Sequence, residues 1–338
     1  MSNFARLCGV FILLFAGGCV SNSSLENSAA RIPMIDAFSH ASKNVDLDDI
    51  IPLMNKAGVT RTLLSAMRGF NWREISAFAR SNPARITASV RIKGGVYRDN
   101  SPRYYRRLEE QLNDPNFGAM AEIMIYHAER RRKDIPERDM DFAEPQPAAA
   151  ISAARSKGWP IVLHIEFQSI PGDTLQRSSF MNQFEEFLQR QDGYPVALAH
   201  LGQLKATEAQ RFLRKHKNLL LITSKANWYI INQKNQPWTE MVSAGGLVPA
   251  WRKLVLQYPD RFILAFGNEW PEDWGWHYIN QARVWQKALQ SLPSDVAHAV
   301  AHRNAERLWR LPPAQASHYK KIKALFMLKA STSSAIII

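Results

Sequence analysis

Five residues of this 338-residue chain carry side chains suited to holding an ion and moving protons: His40, Glu122, His164, His200 and Glu269. Imidazole nitrogens and carboxylate oxygens are the ligands that zinc and related divalent ions take, and a catalytic site needs several of them plus an open position. An ion so held lowers the pKa of bound water toward neutrality and polarises a carbonyl or phosphoryl oxygen. A neighbouring carboxylate can then accept the water's proton and return it to the leaving group. Thiol chemistry is excluded from the body of the chain. Its only cysteines, Cys8 and Cys19, lie close to the N-terminus, so no disulfide and no cysteine metal site is expected there.

The five residues stand far apart in sequence, so the fold must gather them. From Ile32 onward, short apolar runs alternate with longer amphipathic stretches. Strands are expected over 33–37, 61–65, 86–91, 119–123, 160–164, 196–200, 219–223 and 262–266. Helices are expected over 47–57, 72–81, 102–112, 147–157, 179–191, 207–216, 248–257 and 273–292. Eight strand–helix repeats with continuous apolar strands predict an α/β fold of the (β/α)8 TIM-barrel type, with the helices outside. A Rossmann sheet would carry a Gly-rich loop after its first strand, and none stands there.

In such a barrel the chemistry sits at the carboxyl ends of the strands. Asp36, Phe38 and His40 share one face of the first strand. Glu122 falls in the fourth strand, His164 and His200 at the ends of the fifth and sixth, and Glu269 beyond the eighth. Lys225, Asn227 and Trp228 follow the seventh strand and would contact substrate at the mouth, as would Trp270. Asp36 reads as a polar packing residue, and His127 and Glu129 as solvated loop. Trp270, Trp274, Trp276 and His277 cluster after the eighth strand, as a packed lid or a ring-binding platform.

These motifs together resemble the amidohydrolase superfamily. Residues 34–40 (MIDAFSH) look like its strand-one His-x-His motif, with Phe38 where the first His belongs. Residues 118–123 (GAMAEI) are similar to the strand-four Gly-x-Gly-Glu-Ile pattern. Residues 160–164 (PIVLH) and 196–202 (VALAHLG) match the motifs of strands five and six, and 266–271 (FGNEWP) resembles the Gly-Thr-Asp-x-Pro turn, with Glu269 for Asp. The stretches PAW at 249–251, YPDRF at 258–262 and RNAERLW at 303–309 also match. The resemblance covers 32–311 and is nearest to the amidohydrolase-related, lipoprotein-type group of TIM-barrel metal-dependent hydrolases.

That resemblance implies a hydrolase acting on a small molecule with a C–O, C–N or P–O bond. It assigns Glu122, His164 and His200 as metal ligands, His40 as a further ligand or catalytic group, and Glu269 as general base. Phe38 cannot bind metal, and Glu269 is one methylene longer than the Asp it replaces. One divalent ion is therefore expected, zinc first and manganese second. Two other readings stay open: a catalytically degenerate lipid-anchored binding protein, and a metal-independent enzyme of the lactonase or decarboxylase kind.

The first residues read as a targeting segment. Arg6 is followed by an apolar run at 10–15 (VFILLF) and then by Ala16-Gly17-Gly18-Cys19, which resembles a lipobox. Residues 1–18 are expected to be a lipoprotein signal peptide, Cys19 the lipidated residue, and 19–31 a polar flexible tether. Val20 after the cysteine is similar to lipoproteins sorted to the outer membrane, which places the protein in the bacterial cell envelope, facing the periplasm. The body spans 32–311, and 312–338 is a basic tail with a candidate interfacial helix at 320–328. The formal charge of +13 comes without a nucleic-acid motif, and apart from Arg130-Arg131-Arg132-Lys133 the basic residues are dispersed. A solvated basic surface facing anionic head groups is expected rather than a nucleic-acid partner.

Overall fold

The computed structural model describes residues 31–130, 136–171, 174–233 and 236–314. The expected signal peptide at 1–18, Cys19, residues 131–133 of the basic run and the tail from 315 onward lie outside the described residues. So do residues 19–30 of the expected tether. The compact unit that carries the site begins at Ile32.

The strands are β1 (Met34–Ala41), β2 (Val59–Ala66), β3 (Ile86–Val90), β4 (Phe117–Met120), β5 (Ile123–His127), β6 (Arg138–Asp139), β7 (Ile161–Ile165), β8 (Val196–Leu198), β9 (Leu219–Ile222), β10 (Val242–Ser243), β11 (Gly246–Leu247) and β12 (Phe262–Ile263). Four of them form a sheet in the order β1-β2-β3-β4, and six form a second in the order β12-β9-β8-β7-β5-β6. Pairing is parallel throughout both sheets except for the short β5–β6 contact. β10 and β11 make a separate antiparallel pair.

The two sheets meet at both edges. On one side β4 runs into β5 across Ala121 and Glu122, and Ala121 N–H donates to the Val90 carbonyl at 3.1 Å. On the other, Ala37 N–H donates to Leu264 O at 3.1 Å, His40 N–H to Asn268 O at 2.7 Å, and Gly267 N–H to Phe38 O at 2.8 Å. The first strand thus lies against the chain that follows the last. This is the α/β barrel architecture expected from the alternation.

Alternation along each strand builds two cores. Ile35, Ala37, Leu63, Ala119, Val162, Ala197, Leu220 and Ile263 pack together inside the barrel. Their strand neighbours, such as Ile161, Leu163 and Ile165, pack outward against the helices. Strands buried on both faces must read as continuous apolar runs, as these do. The same rule sets the chemistry: Val162 faces inward, so His164 two residues later faces inward too, nearer the mouth.

Four expected strands differ in detail at the site. The first runs on to Ala41 instead of ending at residue 37, so that His40 lies within it. The fourth breaks at Glu122. The sixth ends at Leu198, because His200 and Leu201 adopt left-handed backbone with φ of 55° and 54°. The eighth ends at Ile263, where side-chain acceptors take over from ladder partners: Ala265 N–H donates to Thr223 Oγ1 at 3.0 Å and Phe266 N–H to Asp36 Oδ1 at 2.9 Å. The helices Trp72–Ser81 and Pro102–Leu112 begin where expected, capped by Asn71 and Ser101, whose side chains accept from Arg73 and Arg103 N–H groups.

Candidate active site

Glu122 is the centre of the site, fully buried at the break between β4 and β5. Its Oε2 faces His164 Nδ1 at 3.0 Å and His200 Nε2 at 3.5 Å. Its Oε1 accepts from the Lys93 ammonium and lies 3.7 Å from His40 Nε2. Lys93 Nζ is in turn 3.2 Å from His40 Nε2. Five strand ends therefore converge on one carboxylate and its surroundings, since Glu269 lines the same cavity as Glu122, His164 and His200.

The two histidines are oriented from behind. His164 Nε2 lies 3.3 Å from Glu166 Oε1, and Glu166 is itself gripped by Arg130 Nη2 at 2.8 and 2.7 Å and by Ala128 N–H at 2.9 Å. His200 Nδ1 lies 3.3 Å from the Ser224 carbonyl and 2.9 Å from its hydroxyl. With an ion bound the two rings would be neutral, each proton on the nitrogen that meets these outer acceptors, and His164 Nδ1 and His200 Nε2 would be the ligand atoms facing Glu122.

The donor set fits a divalent ion. Ligand bonds of ~2.0–2.1 Å in tetrahedral geometry set ligand atoms ~3.3 Å apart. The 3.0 and 3.5 Å separations at Glu122 Oε2 bracket that value. The candidate ligand atoms of Glu122, His164 and His200 all lie within 4.8 Å of one another. A second set, His127, His164 and Glu166, meets the same limit, but Glu166 is already held by Arg130.

Charge at the site follows from these contacts. Burial disfavours a charged His164, yet Glu122 and Glu166 on its two nitrogens outweigh it and raise the imidazole to about 9. Burial likewise opposes the Glu166 carboxylate, while His164, His127 and Arg130 bring it down to about 2. Glu122 is held well below the ordinary carboxylate range against its burial, by Lys93 and His164. Burial and the Lys93 cation push His40 down to about 4. Glu269 stays ionised in spite of burial because Lys225 and Lys93 are near.

Several sequence expectations change here. His40 sits on the Oε1 side with Lys93 and is not among the atoms that gather at Oε2. Phe38 is buried, its ring edge-on to His40 at 4.8 Å and to His200 at 5.5 Å between centroids. Of the expected substrate contacts, Lys225 and Trp270 line the cavity, whereas Asn227 and Trp228 do not. Asn227 instead caps the short helix Trp228–Ile231, accepting from Ile230 N–H at 3.2 Å. His127 is no solvated loop residue: it lines the cavity and stacks on His164 at 5.5 Å. Arg130 turns inward to Glu166 rather than joining a surface patch. Trp274 packs under the site, stacked on Tyr278, and donates from Nε1 to His40 O at 2.9 Å. His277 bonds the Tyr229 hydroxyl at 2.8 Å, and Trp276 is exposed.

Sequence reasoning missed Lys93, Glu166 and Arg130. Glu166 had a signal, because it follows His164 by two residues. Lys93 lies beyond β3 and reaches back with a long side chain, which no spacing announces. Asp36 is the buried packing residue expected. It accepts from Ser39 Oγ at 2.6 Å and from Phe266 N–H at 2.9 Å, and burial lifts it to about 7.

No family model and no curated protein matches the chain. Solved structures match it by shape. An uncharacterised TIM-barrel protein from Bordetella bronchiseptica superposes with a TM-score of 0.51 at 14% identity, over 79% of this chain and 83% of its own. A 4-oxalomesaconate hydratase from Rhodopseudomonas palustris gives 0.47 at 12% identity, over 89% of this chain and 99% of its own. The first of these likenesses identifies the fold as a TIM barrel, a scaffold that hosts many chemistries.

Proposed function

We propose that this protein is a metal-dependent hydrolase of the amidohydrolase type, using one divalent ion on a small molecule with a C–O, C–N or P–O bond. The observation that carries the reading is the meeting of His164 Nδ1 and His200 Nε2 on one oxygen of Glu122, each ring with its other nitrogen engaged behind. Two imidazoles and a carboxylate favour zinc, with manganese second.

Glu122, His164 and His200 would hold the ion. When bound, it supplies Lewis acidity toward a carbonyl or phosphoryl oxygen and toward water. Glu166 and Ser224 keep the imidazoles in one tautomer and one orientation. Glu269, ionised and facing the cavity, accepts the proton of the attacking water at its carboxylate and returns it to the leaving group. Lys225 holds that carboxylate ionised, and is itself 3.6 Å from Asp273. Lys93 places an ammonium between His40 Nε2 and Glu122 Oε1, so a positive charge already occupies the side where Phe38 provides no ligand. One ion, not two, is the natural complement.

The Lys93–Glu122 ion pair also supports a second reading, metal-independent turnover of a lactone or carboxylate at the same carboxylate and ammonium. The two separate in one experiment. Chelator-dialysed protein, with and without added zinc, is assayed on lactone, ester, amide and phosphomonoester panels. Turnover that appears with zinc and falls about 10²–10⁴-fold in Glu269→Gln supports the hydrolase. Turnover indifferent to zinc supports the second reading.

Anchoring belongs to the proposal as well. Gly17-Gly18-Cys19 and the polar stretch that follows support a lipid-anchored envelope protein facing the periplasm.

A further inference from the structure

We infer that the substrate carries an anionic group, a carboxylate or a phosphate, gripped by Arg68, Arg91 and Arg138 at the mouth of the cavity. The inference deepens the hydrolase reading and rests on it only in taking this cavity of ≈ 170 Å³ as the substrate's.

The lining carries six lysine and arginine side chains against three carboxylates, Glu122, Glu166 and Glu269. Three of the cations have acidic partners: Lys93 has Glu122, Arg130 has Glu166, and Lys225 has Asp273. The other three are guanidinium groups with no carboxylate in ion-pair reach among the described residues. Arg68 lies over the Trp270 ring at 5.5 Å. The Arg91 guanidinium donates to main-chain carbonyls, those of Lys93 and Phe70, both at a long 3.4 Å. Arg138 is half-buried, and burial and Arg98 lower its pKa against the pull of Asp99, a carboxylate that Arg98 already holds; burial and Arg107 lower that of Arg91. Arg91 and Arg138 are drawn partly out of water without an anion, which costs free energy, while Arg68 is exposed at the rim; a guanidinium fork matches the two oxygens of a carboxylate or phosphate. Met67, Met124 and Trp238 line the same cavity and offer apolar wall for the rest of the molecule.

Calorimetric titration at constant ionic strength tests this with succinate, inorganic phosphate and neutral succinamide, on dialysed protein with and without one equivalent of zinc. Succinate or phosphate should bind without zinc, and succinamide should not. The tighter of the two anions names the class. Arg91→Ala or Arg138→Ala should weaken that anion about ten- to a hundredfold. Should Arg91→Ala fail to fold, Arg68→Ala and Arg138→Ala, whose side chains reach solvent, carry the test. Succinamide binding as tightly as succinate overturns the inference, as does anion affinity unchanged in the triple alanine variant. Anion binding that requires zinc and ignores the arginines overturns it while leaving the metal reading intact. Anion binding without zinc survives even if no ion is ever taken up.

Discussion

Glu122 has two oxygens and each meets a different kind of neighbour, imidazoles at Oε2 and the Lys93 ammonium at Oε1. The division makes Phe38 only half of the reason for a single ion. Phe38→His alone should therefore leave zinc content unchanged, because the ammonium still stands between His40 and Glu122. Phe38→His with Lys93→Ala should raise it toward a second ion by elemental analysis; no gain in the double variant would remove Lys93 from this role. His164 predicts a pH effect in ion-free protein. Its folded pKa is raised from 6.5 to about 9, so its contribution is fully present below 6.5 and is lost as pH rises through 9. The loss is about 3 kcal/mol at most. Thermal unfolding of chelator-treated protein should show the decline over that window, and His164→Gln should flatten it; equal slopes would contradict the assigned pair. His164, His200, Glu122 and Glu269 were legible in the sequence because each stands at or shortly after the carboxyl end of an apolar run. Lys93 was not, because a flexible four-carbon stem carries its charge away from its own position. Arg130 was misread because it opens a run of like charges that looks solvated.

At the level of elements, the site depends on how strands end more than on how they run. The eighth strand gives up its ladder after Ile263, and the following segment bonds to β1 through Gly267 N–H and Phe38 O at 2.8 Å. Gly267 has φ of +74°, and a Cβ there would stand 3.0 Å from Ser224 Cβ and 3.3 Å from Lys225 Cε. Gly267→Ala should cost about 1–3 kcal/mol in urea unfolding. It should also weaken zinc binding, since Ser224 orients His200. An alanine variant with unchanged midpoint and affinity would show that this close approach is not needed. All eight strands were legible as apolar runs, because burial on both faces leaves no alternation to misread. Their ends were not: the break at Glu122 and the left-handed turn at His200 come from tertiary contacts that local pattern does not encode.

Across the whole molecule, eightfold alternation was enough to reach the barrel, because strands buried on both faces need a helix after each one. Cys19→Ala should shift the protein from the membrane fraction to the soluble one; retention on membranes at high salt would refute the lipid anchor. The formal charge of +13 gave no warning that part of it turns inward, where Arg130 meets Glu166 and Arg91 lines the cavity. The most direct test of the central claim is equilibrium zinc stoichiometry on protein purified without chelator. The account predicts about one ion per chain in wild type and none in His164→Ala or His200→Ala, since two remaining ligands rarely hold a catalytic ion. Wild-type protein that takes up no ion in excess zinc or manganese would contradict it.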